Sequence, residues 1–490
     1  MEGAARGVFG AIDYTVLIAY LLAMVGIGVY FQRRVTSARS FMVADEKVHH
    51  WLVGLSLLGT YLSAVTMMGL PFLAFGKDDW LWAIQLPVLI VTALIITRFV
   101  LPRYRDAGVL SVYEFLEKRI HVSSRLMAAF CFVVLGVGRM GLGLYLPAKA
   151  FSVVTGTPVL LCILVMGTVV TLYTVIGGIE AVIWTDAIQV IVFAGAALVS
   201  IAMALVWVGP DFLPIAMQHH KFRIWQGGAD LAKLTSLWLI LQTLFETVRI
   251  YSTQQDMTQR YVTAGSTREA NRSVWISILG YIPLGILFYL LGTVLFVYYQ
   301  QHPDPKMPNN DTLYPYFVTT RLPAGIAGLV IAGIFSAAMS TIASLMNSVT
   351  TVCIEDFWKR ALGKTLPEER GLVTVRLLAL FWGVIHILLA WWFTQSSDDV
   401  VRIWNKLMGI AANGVLGLMA LAFIRRRIQP IAAIVGFAVS YLTLWWLLSH
   451  DKQVTFLLRP VICNSVCFLV GLVTSAVIDV VRGRRTEQPV

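Results

Sequence analysis

The stretch Trp51–Phe72 reads WLVGLSLLGTYLSAVTMMGLPF and is apolar over most of its length. A helix needs about 20 such residues to cross the hydrocarbon core of a bilayer. Gly54, Gly59, Gly69 and Pro71 weaken a continuous helix here, and hydroxyl residues lie between them. Backbone groups that are freed at membrane depth must be satisfied by protein, water or an ion, so a break would line a cavity. The alternative is tight helix packing through small residues.

The rest of the chain is also strongly apolar. Of its 490 residues 58% are hydrophobic and only 13% are charged, whereas soluble domains carry about 25% charged residues. This composition excludes a soluble enzyme and predicts an all-α integral membrane protein, with one transmembrane domain over residues 1–490. Thirteen apolar runs qualify as spans, numbered here in chain order. They lie near residues 10–31, 51–75, 80–101, 126–151, 157–177, 181–207, 233–256, 273–299, 323–352, 372–394, 403–424, 430–449 and 456–481.

The basic residues predict how these spans are oriented. Arginine and lysine cluster after the odd-numbered spans, for example at Arg33, Arg34 and Arg39 after span 1 and at 425–427 after span 11. Because basic loops stay in the cytoplasm, we expect the amino terminus outside and the carboxyl terminus inside. The net charge of +11 then reflects loops that face anionic lipid, with no nucleic-acid partner. A multi-pass protein of the plasma or inner membrane is expected.

Span 9 places polar residues on one face of an apolar helix. Ser340, Ser344 and Asn347 recur at spacings of four and three residues, and no carboxylate accompanies them. Sodium accepts neutral oxygen ligands. Carbonyls of a broken span 2 and hydroxyls of span 9 could therefore form a monovalent-cation site, by analogy with half-helix ion sites in transporters. The alternative is that these serines bond back to their own helix.

Charged residues inside spans are costly and usually functional. Arg139 lies in the middle of span 4 between glycines, and its planar guanidinium suits a carboxylate bidentately. A substrate carboxylate is one candidate partner, and Glu246 in span 7 is the candidate for a structural salt bridge. Glu246 and Arg249 are spaced i, i+3, so a mutual pair is an equal alternative.

Three other ionisable residues receive plainer interpretations. Asp186 near the start of span 6 either takes part in a site or complements the helix dipole. Asp13, near the outer end of span 1, is expected at the surface, and His386 within span 10 is expected to pack rather than to relay protons. The sequence contains no HExxH, P-loop or nucleophile-elbow motif, so nothing in it favours a membrane enzyme.

Three ordered motifs resemble those of the sodium:solute symporter family, and the likeness runs over nearly the whole chain. They are Gly177–Gln189 (GGIEAVIWTDAIQ), Gln255–Tyr261 (QDMTQRY) and Ser340–Ser348 (STIASLMNS). Tyr113–Arg119 (YEFLEKR) and Phe296–Gln301 (FVYYQQ) are similar to the bacterial sialic acid transporter branch. Iodide, monocarboxylate and vitamin transporters are similar as well, for instance around residues 352–356.

This resemblance implies a LeuT-type fold of two inverted five-helix repeats. The repeats would be residues 51–207 and 233–424, with residues 10–31 and 430–481 forming peripheral spans. Spans 2 and 7 would both be broken at the bilayer midplane. Span 7 has no glycine or proline between Leu234 and Tyr261, so its break rests on the resemblance alone.

The resemblance also implies site residues. The main sodium site would use carbonyls of Gly59, Leu62 and Ala337 with hydroxyls of Ser340 and Thr341. A second sodium site would pair Asp186 with Ser344, although Ala343 replaces a serine there. The substrate positions would be Ser63, Thr66, Gln85, Arg139, Phe245 and Glu246. Tyr61 and Glu246 replace smaller residues, which makes the pocket bulkier and differently charged.

The expected function is sodium-coupled symport of a small organic solute, a carboxylate such as sialic acid, by alternating access. The partners are sodium ions, the solute and the lipid bilayer. The alternatives are a proton-coupled carrier, with Glu246 as the protonatable group, and an inorganic-anion or vitamin transporter of the same fold. A channel or a structural membrane protein is a more distant possibility.

Overall fold

A computed structural model describes residues 9–44, 48–76, 80–396, 409, 411–424, 427–450 and 453–482. Within these ranges the regular structure is entirely helical, apart from an isolated bridge between Val48 and Ala264. The α-helices are α1 (Ala11–Gln32), α2 (Ala38–Val43), α3 (His50–Tyr61), α4 (Ala64–Phe75), α5 (Gln85–Ile95), α6 (Leu101–Asp106), α7 (Val112–Arg119), α8 (Val122–Thr155), α9 (Val159–Val208), α10 (Phe212–Gln218), α11 (Ser236–Thr253), α12 (Gln255–Thr263), α13 (Thr267–Gln301), α14 (Leu313–Arg321), α15 (Ile326–Val352), α16 (Glu368–Gln395), α17 (Val415–Phe423), α18 (Pro430–Ser449) and α19 (Leu458–Val481).

Nine helices of the described ranges are long and apolar enough to cross a membrane, and the bent pair α3–α4 adds a tenth. The run α9 covers predicted spans 5 and 6, with a break at Gly178 where φ is 59°. A β-carbon there would lie 3.1 Å from the backbone of Phe41, so this turn favours glycine. Part of span 11, residues 403–408 and 410, lies outside the described residues. The count of thirteen spans and the orientation of the termini remain predictions.

Helix α15 forms the centre of the bundle. It packs against α9, α8 and α1, and its residues from Ile331 to Val352 are all buried. Its hydroxyl face is therefore enclosed by protein. By contrast α16 and α19 leave large apolar side chains exposed on one face, among them Leu377 and Val473, as expected of peripheral helices in lipid.

Asp13 was expected at the surface, and this prediction is wrong. The Asp13 side chain is fully buried. Its Oδ1 accepts hydrogen bonds from the backbone N–H groups of Gly325 (2.8 Å) and Gly328 (3.0 Å). The first N–H groups of a helix have no partner within that helix. A carboxylate from another span therefore stabilises the beginning of α15.

Both predicted helix breaks are present. Helices α3 and α4 are bent by 58° relative to each other, with Leu62 and Ser63 extended between them. Helices α11 and α12 are separated by Gln254, whose φ and ψ are −92° and 128°. Span 7 therefore runs to Thr263, beyond its predicted end at residue 256.

Candidate functional site

The first break brings the predicted main sodium ligands close together. The Thr341 hydroxyl donates to the carbonyl oxygens of Leu62 (3.2 Å) and Ala337 (3.3 Å). A β-carbon on Gly59 would lie 3.0 Å from Ser340 Oγ, so the absence of a side chain lets α3 approach α15. All five residues therefore lie where the end of α3 meets the middle of α15.

The chemistry of the first break suits a cation. The last carbonyls of α3 have no N–H partner within their own helix, and a helix carboxyl end carries partial negative charge. Hydroxyl oxygens of Ser340 and Thr341 face these carbonyls from α15. Oxygens of this kind can replace the hydration shell of an alkali cation, as in other half-helix ion sites.

Asp186 of α9 is fully buried, and its side chain contacts residues of α3, α12 and α15. It lies eight residues beyond the Gly178 break, inside the helical run, so complementing the dipole of a helix start is the wrong interpretation. Its carboxylate accepts hydrogen bonds from Ser340 (2.6 Å) and Ser56 (2.5 Å). It also forms an ion pair with Arg260 at 2.8 Å.

Arg260 is a functional candidate that the sequence analysis did not single out, although it lies in the quoted motif Gln255–Tyr261. Its guanidinium is fully buried and donates to Asp186, to Ser344 Oγ at 2.5 Å and to Ser56 Oγ at 2.7 Å. Asp186 and Ser344 are the residues of the expected second sodium site. A protein cation is therefore bonded to both of them, and they also contact each other at 3.5 Å.

The second break is held by backbone and side-chain groups from distant parts of the chain. The Gln255 amide accepts from the backbone N–H of Val112 (2.9 Å) and donates to the carbonyl of Leu110 (2.8 Å). The Gln254 amide oxygen accepts from Arg139 Nη1 at 2.9 Å. These contacts explain how the helix ends without glycine or proline.

Arg139 is positioned by the second break and not by Glu246. Arg139 donates a hydrogen bond to Gln254. The nearest carboxylate is that of Asp256, with 3.8 Å between Arg139 Nη1 and Asp256 Oδ2. The Glu246 carboxylate instead accepts two hydrogen bonds from Arg249, at 2.6 and 2.9 Å. Of the two alternatives for Glu246, the bridge to Arg139 is thus wrong, and the mutual i, i+3 pair with Arg249 is present.

The remaining predicted substrate residues are only partly brought together. The hydroxyls of Ser63 and Thr66 lie 3.4 Å apart at the beginning of α4, and both residues are half-buried. The Gln85 amide donates to Tyr289 Oη at 3.0 Å. Phe245 lies apart from them, because it lines a separate cavity of about 370 Å³ against α17 and α19.

Aromatic rings connect the two breaks. The rings of Tyr61, next to the first break, and Tyr251, three residues before the second, lie 5.7 Å apart. Tyr61 also meets Tyr281 of α13 edge to face at 4.8 Å. Tyr61, which stands where the family resemblance implies a smaller residue, therefore fills space between the pair α3–α4 and the pair α11–α12.

Comparisons with known proteins agree with this architecture. A family model described as the sodium:solute symporter family matches residues 41–439. The chain is 32% identical over 477 residues to the sodium/sialic acid symporter SiaT of Proteus mirabilis, covering 95% of each protein.

Two solved structures extend the comparison. The first is a sodium-coupled sialic acid symporter in a substrate-bound outward-open state, with TM-score 0.88 and 29% identity over 96% of this chain and 98% of that one. The second is a nucleobase-cation-symport-1 family transporter in a closed conformation, with TM-score 0.59 and 14% identity over 90% and 95% of the chains. The second likeness concerns the fold alone.

Proposed function

Because the chain belongs to the sodium:solute symporter family, we propose that it imports a small organic anion together with sodium by alternating access. It is a sodium-coupled symporter of an organic solute and not an enzyme. The observation that carries the mechanism is the break between α3 and α4, where the Leu62 carbonyl meets the Thr341 hydroxyl at 3.2 Å.

One sodium ion would bind at this first break. The proposed ligands are the carbonyls of Gly59, Leu62 and Ala337 and the hydroxyls of Ser340 and Thr341. An ion held by both α3 and α15 fixes the broken helix against the centre of the bundle. Its release towards the cytoplasm removes that constraint, so the half-helices can move and the solute can leave.

The pair Asp186 and Ser344 would not take a second sodium in this chain. Arg260 already donates to both residues, and two unit charges about 4 Å apart repel each other strongly in a buried site. We therefore propose a single sodium ion per cycle, with Arg260 serving as a resident cation in place of the second one.

The solute would be an anion recognised by Arg139. The Arg139 side chain is 13% exposed, and its guanidinium lies 3.8 Å from the Asp256 carboxylate, too far for a hydrogen bond. The guanidinium is therefore available to bind a substrate carboxylate. Ser63, Thr66 and Gln85 would supply hydrogen bonds to hydroxyl and amide groups. The relative SiaT is named as a sodium/sialic acid symporter. Sialic acid has the carboxylate, hydroxyl and amide groups that these residues would bind. Glu246 has no part in this proposal, because Arg249 neutralises its charge. Phe245 has none, because it lines another cavity.

The proposed topology follows the repeats expected from the sequence. Residues 51–207 and 233–424 would be inverted repeats, with residues 10–31 and 430–481 at the periphery. Support comes from the position of the two breaks, since each lies in the first span of its repeat. The positive-inside pattern supports an external amino terminus and insertion in a plasma or inner membrane.

The energetics limit what one sodium can do. A tenfold sodium gradient supplies about 1.4 kcal/mol. A monoanion carried with one sodium moves no net charge, so the membrane potential adds nothing and accumulation is limited to about tenfold. Higher accumulation requires a further cation in the cycle.

Uptake of radiolabelled N-acetylneuraminate into proteoliposomes tests the proposed function. We expect saturable uptake with an inward sodium gradient and none when choline replaces sodium at fixed pH. Unlabelled lactate, iodide and biotin added as competitors test the other solute classes of the fold. Equal uptake in choline would contradict sodium coupling, and competition by iodide but not by the carboxylates lactate and biotin would contradict an organic-anion site.

A further inference from the structure

Three arginines and three carboxylates surround the second break, and their formal charges cancel. They are Arg139, Arg249 and Arg260 with Asp186, Glu246 and Asp256. Two of the pairs are closed by hydrogen bonds, at 2.6 Å between Arg249 and Glu246 and at 2.8 Å between Arg260 and Asp186. The pair Arg139–Asp256 is open, because its 3.8 Å separation is too long for a hydrogen bond.

Asp256 is the carboxylate that the proposed cycle leaves unused. It is fully buried in the first turn of α12, and within the described residues neither of its side-chain oxygens accepts a hydrogen bond from another residue. The charged groups that face it are Arg139 from α8, Arg249 from α11 and Arg260 from its own helix, and Tyr113 of α7 and Tyr261 are the nearby phenols. A buried ionised carboxylate without hydrogen bonds is costly unless a cation compensates it.

Substrate binding changes that compensation. When a substrate carboxylate takes the Arg139 guanidinium, Asp256 loses its nearest cation and the pocket gains a negative charge. Arg249 and Arg260 cannot restore the balance without abandoning Glu246 and Asp186. Among the described residues no group of three His, Cys, Asp or Glu side chains could hold a metal ion here. A proton needs only one oxygen.

We propose that Asp256 binds a proton that is transported with the anion, so that one anion, one sodium and one proton cross together. The proton comes from water on the entry side, forms an O–H bond with a carboxylate oxygen of Asp256 and returns to water on the other side when the anion leaves. This inference rests on the proposed function, because Asp256 loses the compensating charge of Arg139 only when Arg139 binds the substrate.

Two consequences are measurable. Protonation of Asp256 releases Arg139, so proton binding and anion binding favour each other by the same factor. The KM for the anion should therefore fall on acidification, by up to about tenfold per pH unit for one linked proton. The cycle also carries one net positive charge, because the sodium and proton outweigh a monoanion.

The first experiment needs no variant. Proteoliposomes that contain an entrapped pH-sensitive dye, with the membrane potential clamped by potassium and valinomycin, receive N-acetylneuraminate under an inward sodium gradient. We expect the lumen to acidify in proportion to uptake. Sodium-dependent uptake without acidification would overturn the role of Asp256 and leave the proposed function intact. Absence of sodium-dependent uptake would instead overturn the proposed function, and this inference with it.

The second experiment assigns the proton to its residue. In Asp256→Asn, the KM for N-acetylneuraminate should become independent of pH between about 5.5 and 7.5 and equal the acidic wild-type value, because Arg139 is permanently released. Glu117→Gln is the control, because its carboxylate pairs with Arg360 and Arg125 outside this group, and it should retain the wild-type slope of KM against pH. A wild-type slope in Asp256→Asn, or its loss in Glu117→Gln alone, would overturn the assignment.

Discussion

The two helix breaks differ in the kind of group that surrounds them. At Leu62–Ser63 the adjacent groups are neutral oxygens, carbonyls of α3 and hydroxyls of α15, one of which (Ser340) also donates to the buried Asp186 carboxylate. At Gln254 the neighbours are charged, with Arg139 bonded to Gln254 itself and Asp256 two residues further on. Neutral oxygens can hold an alkali cation, and an arginine can hold a carboxylate. In the proposed mechanism, the oxygens between α3 and α15 at the first break hold the driving ion, and Arg139 at the second break holds the carboxylate of the driven anion.

Asp186 joins the two regions, and its replacement should have the largest effect. It accepts a hydrogen bond from Ser340 beside the first break and pairs with Arg260 beyond the second. Asp186→Asn leaves the Arg260 charge buried and unpaired, which should cost about 3–5 kcal/mol of folding free energy. The measurement is the thermal unfolding midpoint in detergent. The double variant Asp186→Asn with Arg260→Gln should recover most of the loss, and an unchanged midpoint in the single variant would contradict the buried pair.

The next largest effect concerns the first break alone. Ser340→Ala with Thr341→Ala removes two of five proposed sodium ligands, which should lower sodium affinity at least about 100-fold, since each bond to a charged group contributes about 1.5–3 kcal/mol. Sodium titration of uptake measures it. Thr350→Ala is the matched control, because the Thr350 hydroxyl donates to the Met346 carbonyl of its own helix. Equal sodium affinity in all three proteins would remove the first break from ion binding.

At the second break the expected effect is somewhat smaller and falls on the anion. Arg139→Ala should raise the KM for N-acetylneuraminate about 30-fold or more, since a charged hydrogen-bonded pair contributes about 2 kcal/mol or more. Sodium affinity measured on the same preparation should stay within about twofold if the two breaks are separate. Lys149→Gln, at an exposed position near the carboxyl end of α8, is the control for loss of positive charge. An Arg139→Ala protein with normal KM would make Arg139 structural.

The smallest effect lies outside both breaks, at Glu117 on the short helix α7. Arg360 and Arg125 donate to its carboxylate at 2.6 and 2.8 Å. These hydrogen bonds lower the pKa of Glu117, and the bond from Arg360 has the larger effect. The stabilisation is complete above the ordinary glutamate pKa and is lost as pH falls through the lowered one. Partly exposed pairs contribute up to about 1 kcal/mol.

Glu117→Gln should therefore reduce the unfolding midpoint slightly at neutral pH, and the difference from wild type should vanish in acid. Unfolding scans across pH provide the comparison. A difference that grows in acid would show that the pKa of Glu117 is raised in the folded protein and not lowered.

The first break could be anticipated from local sequence, and the second could not. Ser63 caps α4 by accepting from the backbone N–H of Thr66, and this capping preference belongs to the residue itself. The glycines and Pro71 raised the same expectation, although the break falls between Gly59 and Gly69 and Pro71 lies inside α4. The hydroxyl spacing on α15 also predicted the polar face correctly.

The second break depends on residues that are far apart in the chain. Arg139 is 115 residues from Gln254, and Val112 is 143 residues from Gln255. No spacing or propensity reports such pairings, so the second break rested on family resemblance, and Gln254 was not among the candidate partners of Arg139. Arg260 was missed for the same reason, since its partner Asp186 is 74 residues away.

The central claim is that a sodium ion joins the broken helix to α15. Maps of the protein in nanodiscs by electron cryomicroscopy, one prepared in sodium and one in choline, test it most directly. The account predicts a compact density in sodium alone, in contact with the Leu62 carbonyl and the Thr341 hydroxyl. The same density in both maps, or a sodium-specific density only beside Asp186, would contradict it.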